Sequence, residues 1–537
     1  MPDPAHRIQD WLATYDTPAT AVAHLLCDRH APDAVAVTEI GPTLEATVLT
    51  FGELAERSRA LAAGFADLGL AAGDRIATLI PKGIDLTVTA VAAWRLGAVL
   101  VPLLPSFAPS AIAQRLTQSQ ARLVVCDAPY RGKLDPPGGA AADWSIATVG
   151  DAPLREGDHT LDSLSRGATG PVGEAAVGGA GTMALLFVSG PLGAPRGVPV
   201  PVRALASMHA YHHYGLGVDD EDVYWNTADP GTAYGLYHGV ISPLLAGHGS
   251  LALRAGFFDP ELTLDVLGLY QVTNLATDPT TYRTLRAATK TLPPEVVVQR
   301  LTSAGEPLAA DVVDWVSDVF GVPVRDHYGQ TELGWCVGIP NGEAGVVGRG
   351  DAVGAIGPAL PGWEVRVLEA ISDEPAPAGA YGRVAVDLER SPLAWFGSYW
   401  EGAAPAEARF TPEGTYYLTG DTGTMDREGW LYFSTRDDGA IRSHGYRIGP
   451  AEVEAVLNEH PAVAECGVYA VRDDSAGQGV GARVVLSPGW EEHAGLAEEL
   501  QAWVGERYAT HAAPSAVDFV AELPRSASGK MRRARLV

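Results

Sequence analysis

Five segments of the chain combine residue types whose spacing could carry chemistry. Residues 187–197 read Phe-Val-Ser-Gly-Pro-Leu-Gly-Ala-Pro-Arg-Gly. Glycines let a backbone approach phosphate oxygens, and successive N–H groups form an anion nest. No Gly-Lys-Ser/Thr follows, which excludes a Walker loop, and GxGxxG is absent, which excludes a dinucleotide fingerprint. An ordinary strand-to-helix turn is the competing reading. Residues 326–332 read Asp-His-Tyr-Gly-Gln-Thr-Glu. Here Tyr328 offers a face for a base, Thr331 a hydroxyl for a phosphate, and Glu332 a carboxylate for a hard cation such as Mg²⁺; a polar loop at a strand end is the alternative. Residues 417–421 end on Gly-Asp and present one carboxylate, Asp421, suited to two ribose hydroxyls or simply to a turn. Residues 436–448, with Arg436 and Asp438, are charged and glycine-containing, as a hinge would be. Residues 524–535 carry Arg525, Lys530, Arg532, Arg533 and Arg535 and no acid, so they are either a cationic site or a solvated tail.

Such groups need rigid elements to aim them. Residues 75–80, 98–103 and 122–126 read as buried strands, and 86–96 and 111–120 as helices. This strand–helix–strand rhythm predicts a parallel sheet covered by helices. Residues 136–181 are rich in Gly, Ala and Asp and read as a mobile surface connection. An apolar strand at 183–188 then runs into the glycine loop, and a second α/β stretch covers about 202–340. Short β-like runs at 364–368, 382–387, 415–419 and 430–433 predict a small β-rich subdomain between about 357 and 433. The last hundred residues read as helices at 451–459 and 491–508 and strands at 465–471, 482–486 and 515–521, a compact α+β unit. No internal repeat is visible.

A chain of 537 residues implies three or four cooperating units. With 47% apolar and 19% charged residues it can bury a large core, which excludes global disorder. Its net charge of −27 argues against nonspecific binding to nucleic acid or an anionic membrane. Any polyanion must be met by a few well-placed cations. Only four of the 38 basic residues are lysines, at Lys82, Lys133, Lys290 and Lys530. Cys27, Cys126, Cys336 and Cys466 are far apart, which fits neither a zinc ribbon nor a disulfide framework and suits a reducing cytoplasm. The most apolar long stretch, 85–105, is interrupted by Arg95 and falls short of the ~18 residues of a membrane span. The amino terminus has no signal pattern, so a soluble cytoplasmic protein is expected.

In their order and spacing the five segments resemble the adenylate-forming superfamily: acyl- and aryl-CoA ligases, peptide-synthetase adenylation domains and luciferases. The resemblance spans about residues 35–537. Residues 226–231 (Asn-Thr-Ala-Asp-Pro-Gly), 328–332, 443–454 and 459–463 look most like the medium-chain acyl-CoA and benzoate-CoA ligase branch. The resemblance implies an α/β fold. A large N-terminal domain (1–437) of two doubly wound sheets plus the β-rich subdomain would precede a mobile α+β domain (438–537). It implies two half-reactions: a carboxylic acid and ATP give acyl-AMP, and after domain rotation CoA thiol attacks the adenylate. Lys530 would be the mobile adenylation lysine, Thr331 an α-phosphate contact and Glu332 the Mg²⁺ partner. Tyr328 and Gly329 would lie on adenine, with Asp326 and the loop Gly305, Glu306, Pro307 around its edge. Asp421 and Arg436 would hold the ribose, Asp438 would be the hinge, and Gly445 would line the pantetheine tunnel.

One departure stands out against that family. Its phosphate loop normally reads Thr-Ser-Gly-Ser/Thr-Thr-Gly-x-Pro-Lys-Gly. Here Ser189, Gly190, Gly193 and Gly197 remain, but Pro191 and Leu192 replace both hydroxyls and Arg196 replaces the lysine. Pro191 also removes an N–H donor, and Arg196 turns a point charge into a planar fork. Each lost phosphate contact is worth about 1–3 kcal/mol. Tyr234, Tyr237, His238 and Trp335 fall where relatives line the acyl pocket, which suits an aryl or short acyl acid. His209, His212 and His213 at helical spacing read as a packed face before they read as a metal site. Three alternatives to a CoA ligase remain: transfer to a carrier-protein thiol, activation of another oxyanion such as nitrite for arylamine diazotisation, and a non-catalytic nucleotide binder. A monomer or homodimer is expected.

Overall fold

The structure, a computed structural model, describes residues 3–135, 143–150, 155–167, 170, 172–188, 195–255, 258–306, 308, 310–341, 355–400, 409–436, 441–444, 446–473, 477–524 and 535–536; the side chains at 310, 311, 433–436, 447 and 451 are not described. Expectations that fall on Ser189, Gly190, Gly193, Pro307, Asp438, Gly445 and Lys530 therefore lie outside the described residues.

Two sheets form the body. The first has seven strands in the order His159–Thr160, Ser145–Val149, Ala121–Asp127, Arg75–Leu79, Val99–Pro102, Thr182–Val188 and Arg196–Pro201. All its pairs are parallel except the last. The second has eight strands, with a parallel centre from Arg300–Ala304 through Asn274–Thr277, Tyr224–Asn226 and Ser250–Leu253 to Val35–Ile40. Antiparallel strands close its edges: Val324–Gln330 carries Gly334–Gly338 on one side, and Val35–Ile40 carries Ala46–Thr50 on the other. Parallel strands buried on both faces demand covering helices, and Ile84–Arg95 supplies one whose every residue but Asp85 is buried.

Two expectations change here. Residues 136–181 are not only a surface connection, because Ser145–Val149 and His159–Thr160 extend the first sheet and Leu161–Gly167 is helical. The Ser-Ile-Ala-Thr-Val run is a short strand buried at every position but the first, and the glycine-rich sequence around it hides so brief a signal. The glycine loop is not a strand-to-helix turn either. Thr182–Val188 and Arg196–Pro201 pair antiparallel with Val188 opposite Arg196, so the loop joins two strands of a hairpin.

The β-rich subdomain is a five-stranded antiparallel sheet, in the order Ala355–Gly357, Leu431–Arg436, Tyr416–Met425, Tyr381–Asp387 and Val365–Leu368. The C-terminal sheet is built on the long hairpin Val463–Asp473 and Gly477–Leu486, edged by Ile441–Ser443 and Ala516–Phe519 and covered by Pro450–Leu457 and Leu496–Arg507. This unit is docked on the first sheet's side of the body. The Ala108 N–H donates to Tyr508 O at 2.6 Å, Phe107 bridges Ala509, and buried Arg115 faces buried Glu452 at 3.9 Å. The histidine-bearing helix packs as a face. Trp11 stacks on His209 at 4.4 Å, Tyr15 Oη bonds His209 Nδ1 at 2.8 Å, and His212 Nε2 bonds His248 Nδ1 at 3.1 Å. Among the described residues no group of three or more His, Cys, Asp or Glu could hold a metal, and no helix is long and apolar enough to cross a membrane.

Candidate active site

Where the two large sheets and the C-terminal unit meet, the structure encloses a cavity of about 1080 Å³. Its wall is made by strand ends, the position where parallel α/β sheets leave backbone groups exposed for ligands. Val324–Gln330 delivers Gly329, Gln330, Thr331 and Glu332, and Trp335 follows on the return strand. Gly329 is required there: a Cβ would lie 2.2 Å from Gly334 O and 2.6 Å from Trp335 Cα. The strand slips register between Tyr328 and Gly329, which re-aims the side chains that follow. Tyr237 Oη donates to Thr331 O at 3.0 Å and fixes the loop from behind.

Glu332 is 2% exposed yet reaches the cavity. Tyr399 Oη donates to its Oε1 at 2.9 Å. Arg409, also on the wall, donates from Nε to Tyr399 Oη at 3.2 Å and from Nη1 to Thr419 O at 2.8 Å. Arg196 lies with its guanidinium carbon 4.2 Å from the Tyr399 ring centroid. A lone carboxylate beside two arginines does not make an all-protein metal cage. It fits a Mg²⁺ that keeps waters and shares its remaining positions with phosphate oxygens.

Of the expected nucleotide residues, Gly305 and Gly329 line the cavity, whereas Glu306, Asp326, Tyr328 and Asp421 lie behind its wall. Tyr328 Oη donates to Asp421 Oδ2, and Gln330 Nε2 donates to the same oxygen at 2.7 Å and to Thr419 O at 2.8 Å. Asp421 is fully buried by these contacts, and its backbone pairs with Arg436. Gly305 lines the cavity, whereas Glu306 turns away into an ion pair with Arg283 at 2.5 Å, steadied by Thr280 Oγ1 at 3.2 Å. Burial pushes the Asp326 carboxyl up to about 7, and its Oδ2 accepts from the Leu308 N–H at 3.4 Å. Tyr234 and Trp335 reach the cavity with ring centroids 4.7 Å apart. His238 sits behind them, 5.1 Å from Trp335, and Tyr237 is fully buried.

The sequence reading missed Gln330, Tyr399 and Arg409. Gln330 stood inside a motif and drew no attention as an amide. Arg409 had a signal in being a cation in an acidic stretch, 397–414. Lys82, singled out only as one of four lysines, lines the cavity; its Nζ donates to Thr227 O and to Ala228 O at 3.3 Å, and burial pulls its ammonium down to about 8. Residues of the C-terminal unit also line the cavity. Arg442, His444 and Tyr446 come from its first hairpin and Tyr508 and His511 from beyond its last helix. Tyr446 stacks on His511 at 3.8 Å, and Arg442 Nη1 donates to Gly305 O.

Comparison with known proteins agrees with this geometry. The family model described as AMP-binding enzyme matches residues 27–390, and that described as AMP-binding enzyme C-terminal domain matches 452–530. The human mitochondrial acyl-coenzyme A synthetase ACSM3 is 30% identical over 91% of this chain and 82% of its own length. The acetyl-coenzyme A synthetase of Bacillus subtilis is 28% identical over 86% and 79%. Among solved structures, the acyl-CoA synthetase of Brucella canis superposes with a TM-score of 0.73 at 37% identity, covering 99% of this chain and 97% of that one. The amide bond synthetase McbA of Marinactinospora thermotolerans shares the fold, with a TM-score of 0.80 at 23% identity over 96% and 99%. A strand-end cavity that gathers Thr331, Glu332 and Gly305 under a small C-terminal unit is thus matched along both units, and the chain belongs to the family of AMP-binding enzymes.

Proposed function

We propose that this protein is an AMP-forming acid–thiol ligase. It activates a small carboxylic acid with ATP as acyl-AMP and passes the acyl group to the thiol of CoA. The observation that carries this reading is the shared cavity. Thr331 and Glu332 line it together with Arg442, His444 and Tyr446 of the C-terminal unit, in a volume of about 1080 Å³. That volume exceeds what a small acid alone needs and suits an adenylate approached by a pantetheine arm.

Adenylation joins two anions, so fixed positive charge must offset repulsion at the phosphates. Glu332 would hold Mg²⁺, which when bound neutralises phosphate charge. Thr331 presents its hydroxyl to the α-phosphate, and Ser189, Gly190, Gly193 and Arg196 bracket the outer phosphates. Gly329, Gly305 and Pro307 frame the base with Tyr328 packed behind them and Asp326 toward its edge, Asp421 and Arg436 take the ribose, and the Glu306 side chain, paired with Arg283, takes no part. Tyr234 and Trp335, backed by Tyr237 and His238, exclude water around an aryl or short acyl group. Lys530 serves the first half-reaction. The domain boundary falls at Asp438, about which residues 438–537 turn as a unit against 1–437. The docking described above, with the hairpin facing the cavity, suits the second half-reaction, in which Gly445 lines the thiol's path. A cytoplasmic monomer or homodimer acting on free CoA, without nucleic acid or membrane partners, is the reading adopted here; a carrier-protein thiol is the alternative acceptor. A pyrophosphate-release screen over aliphatic, benzoic, cinnamic and aminobenzoic acids, with and without CoA, tests it. Acid-dependent pyrophosphate with CoA-dependent thioester supports the reading, and no acid-dependent pyrophosphate from any acid overturns it.

A further inference from the structure

Arg196 stands where the resemblance expects a lysine, and the structure gives it a specific partner. Arg196 opens the second strand of the phosphate-loop hairpin. The next residue, Gly197, lies so close to the 399–400 segment that a Cβ there would be 2.9 Å from Trp400 Cβ. This approach sets the Arg196 guanidinium over the Tyr399 ring, 4.2 Å from its centroid. Tyr399 is 5% exposed, and its hydroxyl has two partners: it donates to Glu332 Oε1 at 2.9 Å and accepts from Arg409 Nε at 3.2 Å. Arg409 in turn donates to Thr419 O at 2.8 Å, two residues before Asp421. A planar cation covers a phenol face, which an ammonium on a flexible stem does less well.

We propose that Tyr399 is a positioning residue for the first half-reaction. Its hydroxyl aims the Glu332 carboxylate at the phosphate end of the cavity, and its ring couples that carboxylate to Arg196 in the altered loop. The inference rests on the reading of Glu332 as the Mg²⁺ partner. Arg196, Tyr399, Arg409 and Glu332 then act as one unit, in which two cations and one carboxylate leave net positive charge where phosphate must sit. On this account arginine at 196 is matched to tyrosine at 399, and restoring lysine weakens the site.

The test uses calorimetric binding of a non-hydrolysable α,β-methylene ATP to the full chain while Mg²⁺ is varied. Tyr399→Phe keeps the ring and removes the hydroxyl; Arg196→Lys keeps the charge and removes the plane. Tyr399→Phe is expected to raise the half-saturating Mg²⁺ concentration roughly tenfold, the scale of one hydrogen bond to a charged group, and Arg196→Lys roughly fivefold, the scale of one cation–π contact. The double variant is expected to show less than the product of the two effects, because both disrupt one unit. Affinity for AMP, and thioester formation from supplied acyl-adenylate, stay at the wild-type level. Wild-type Mg²⁺ response in both variants overturns the proposal, as does a loss of AMP affinity equal to the loss for the ATP analogue, which marks a purely structural role. If Tyr399→Phe does not fold, a wild-type response in Arg196→Lys overturns it alone. If the unaltered protein binds the analogue without responding to Mg²⁺, the reading of Glu332 fails, and this proposal with it.

Discussion

Replacing Arg115 with methionine probes how the C-terminal unit is held over the cavity. Arg115 is 3% exposed on Pro109–Ser119, and it faces Glu452, 2% exposed on Pro450–Leu457, at 3.9 Å. That distance is beyond hydrogen-bond reach, so the attraction is Coulombic. At an effective dielectric of ~20 it is worth about 4 kcal/mol. Desolvation of two buried charges takes back most of that. The guanidinium also lies 4.1 Å from the Phe107 ring centroid, a contact worth about 1 kcal/mol. Glu452 Oε2 keeps Tyr508 Oη at 2.9 Å and the Gly449 N–H at 3.3 Å, whereas buried Oε1, which faces Arg115, has no hydrogen-bond partner and loses its neighbouring cation in the substitution. A net bias of about 1–2 kcal/mol toward this docking therefore disappears, a population shift of roughly 5- to 30-fold. The assay follows the two half-reactions separately: pyrophosphate release without CoA, and thioester formation from supplied acyl-adenylate. Arg115→Met is expected to slow the second by roughly tenfold and to leave the first unchanged or faster. Equal slowing of both, or a fall in melting temperature with an unchanged ratio, would refute the reasoning.

Other consequences follow from particular residues. Burial raises the folded-state carboxyl of Asp326 to about 7, above the unfolded value of about 4. Between pH 4 and 7 the unfolded chain therefore loses this proton while the folded one keeps it, and stability falls as pH rises through that window. Asp326→Asn keeps an oxygen for the Leu308 N–H, so its melting temperature should exceed the wild type's at pH 8 and match it at pH 4. Pro191→Ser restores an N–H and a hydroxyl to the phosphate loop and is expected to lower KM for ATP by roughly tenfold, in line with one phosphate contact; an unchanged KM would show that the loop does not grip phosphate there. Trp335→Leu opens the wall that Tyr234 shares. It is expected to shift kcat/KM from aryl toward longer aliphatic acids, read from the same acid panel.

Much of this fold was legible before any coordinates. Buried parallel strands announce themselves as apolar runs, and those expected at 75–80 and 183–188 lie within a residue of Arg75–Leu79 and Thr182–Val188. Ser145–Val149 was not legible, because a five-residue buried run inside glycine-rich sequence looks like a loop. The hairpin geometry of the phosphate loop was hidden as well, since periodicity does not reveal which edge a strand joins. In the site, motif residues 329–332 line the cavity, whereas Tyr328 is buried behind them with its hydroxyl on Asp421. Tyr399 and Arg409 did not announce themselves, because their importance comes from partners at Glu332 and Thr419 brought together only by the fold. Glu306 shows the converse: a residue in a suggestive loop whose side chain is spent on Arg283.

The claim that matters most is that the acid is activated by attack on the α-phosphorus of ATP. Once the screen has identified an accepted acid, that acid is supplied with ¹⁸O in its carboxylate, together with ATP and CoA, and the products are analysed by mass spectrometry. The account predicts AMP carrying one labelled oxygen, unlabelled pyrophosphate and an acyl thioester. Label in inorganic phosphate with ADP as the nucleotide product, or unlabelled AMP, would contradict it.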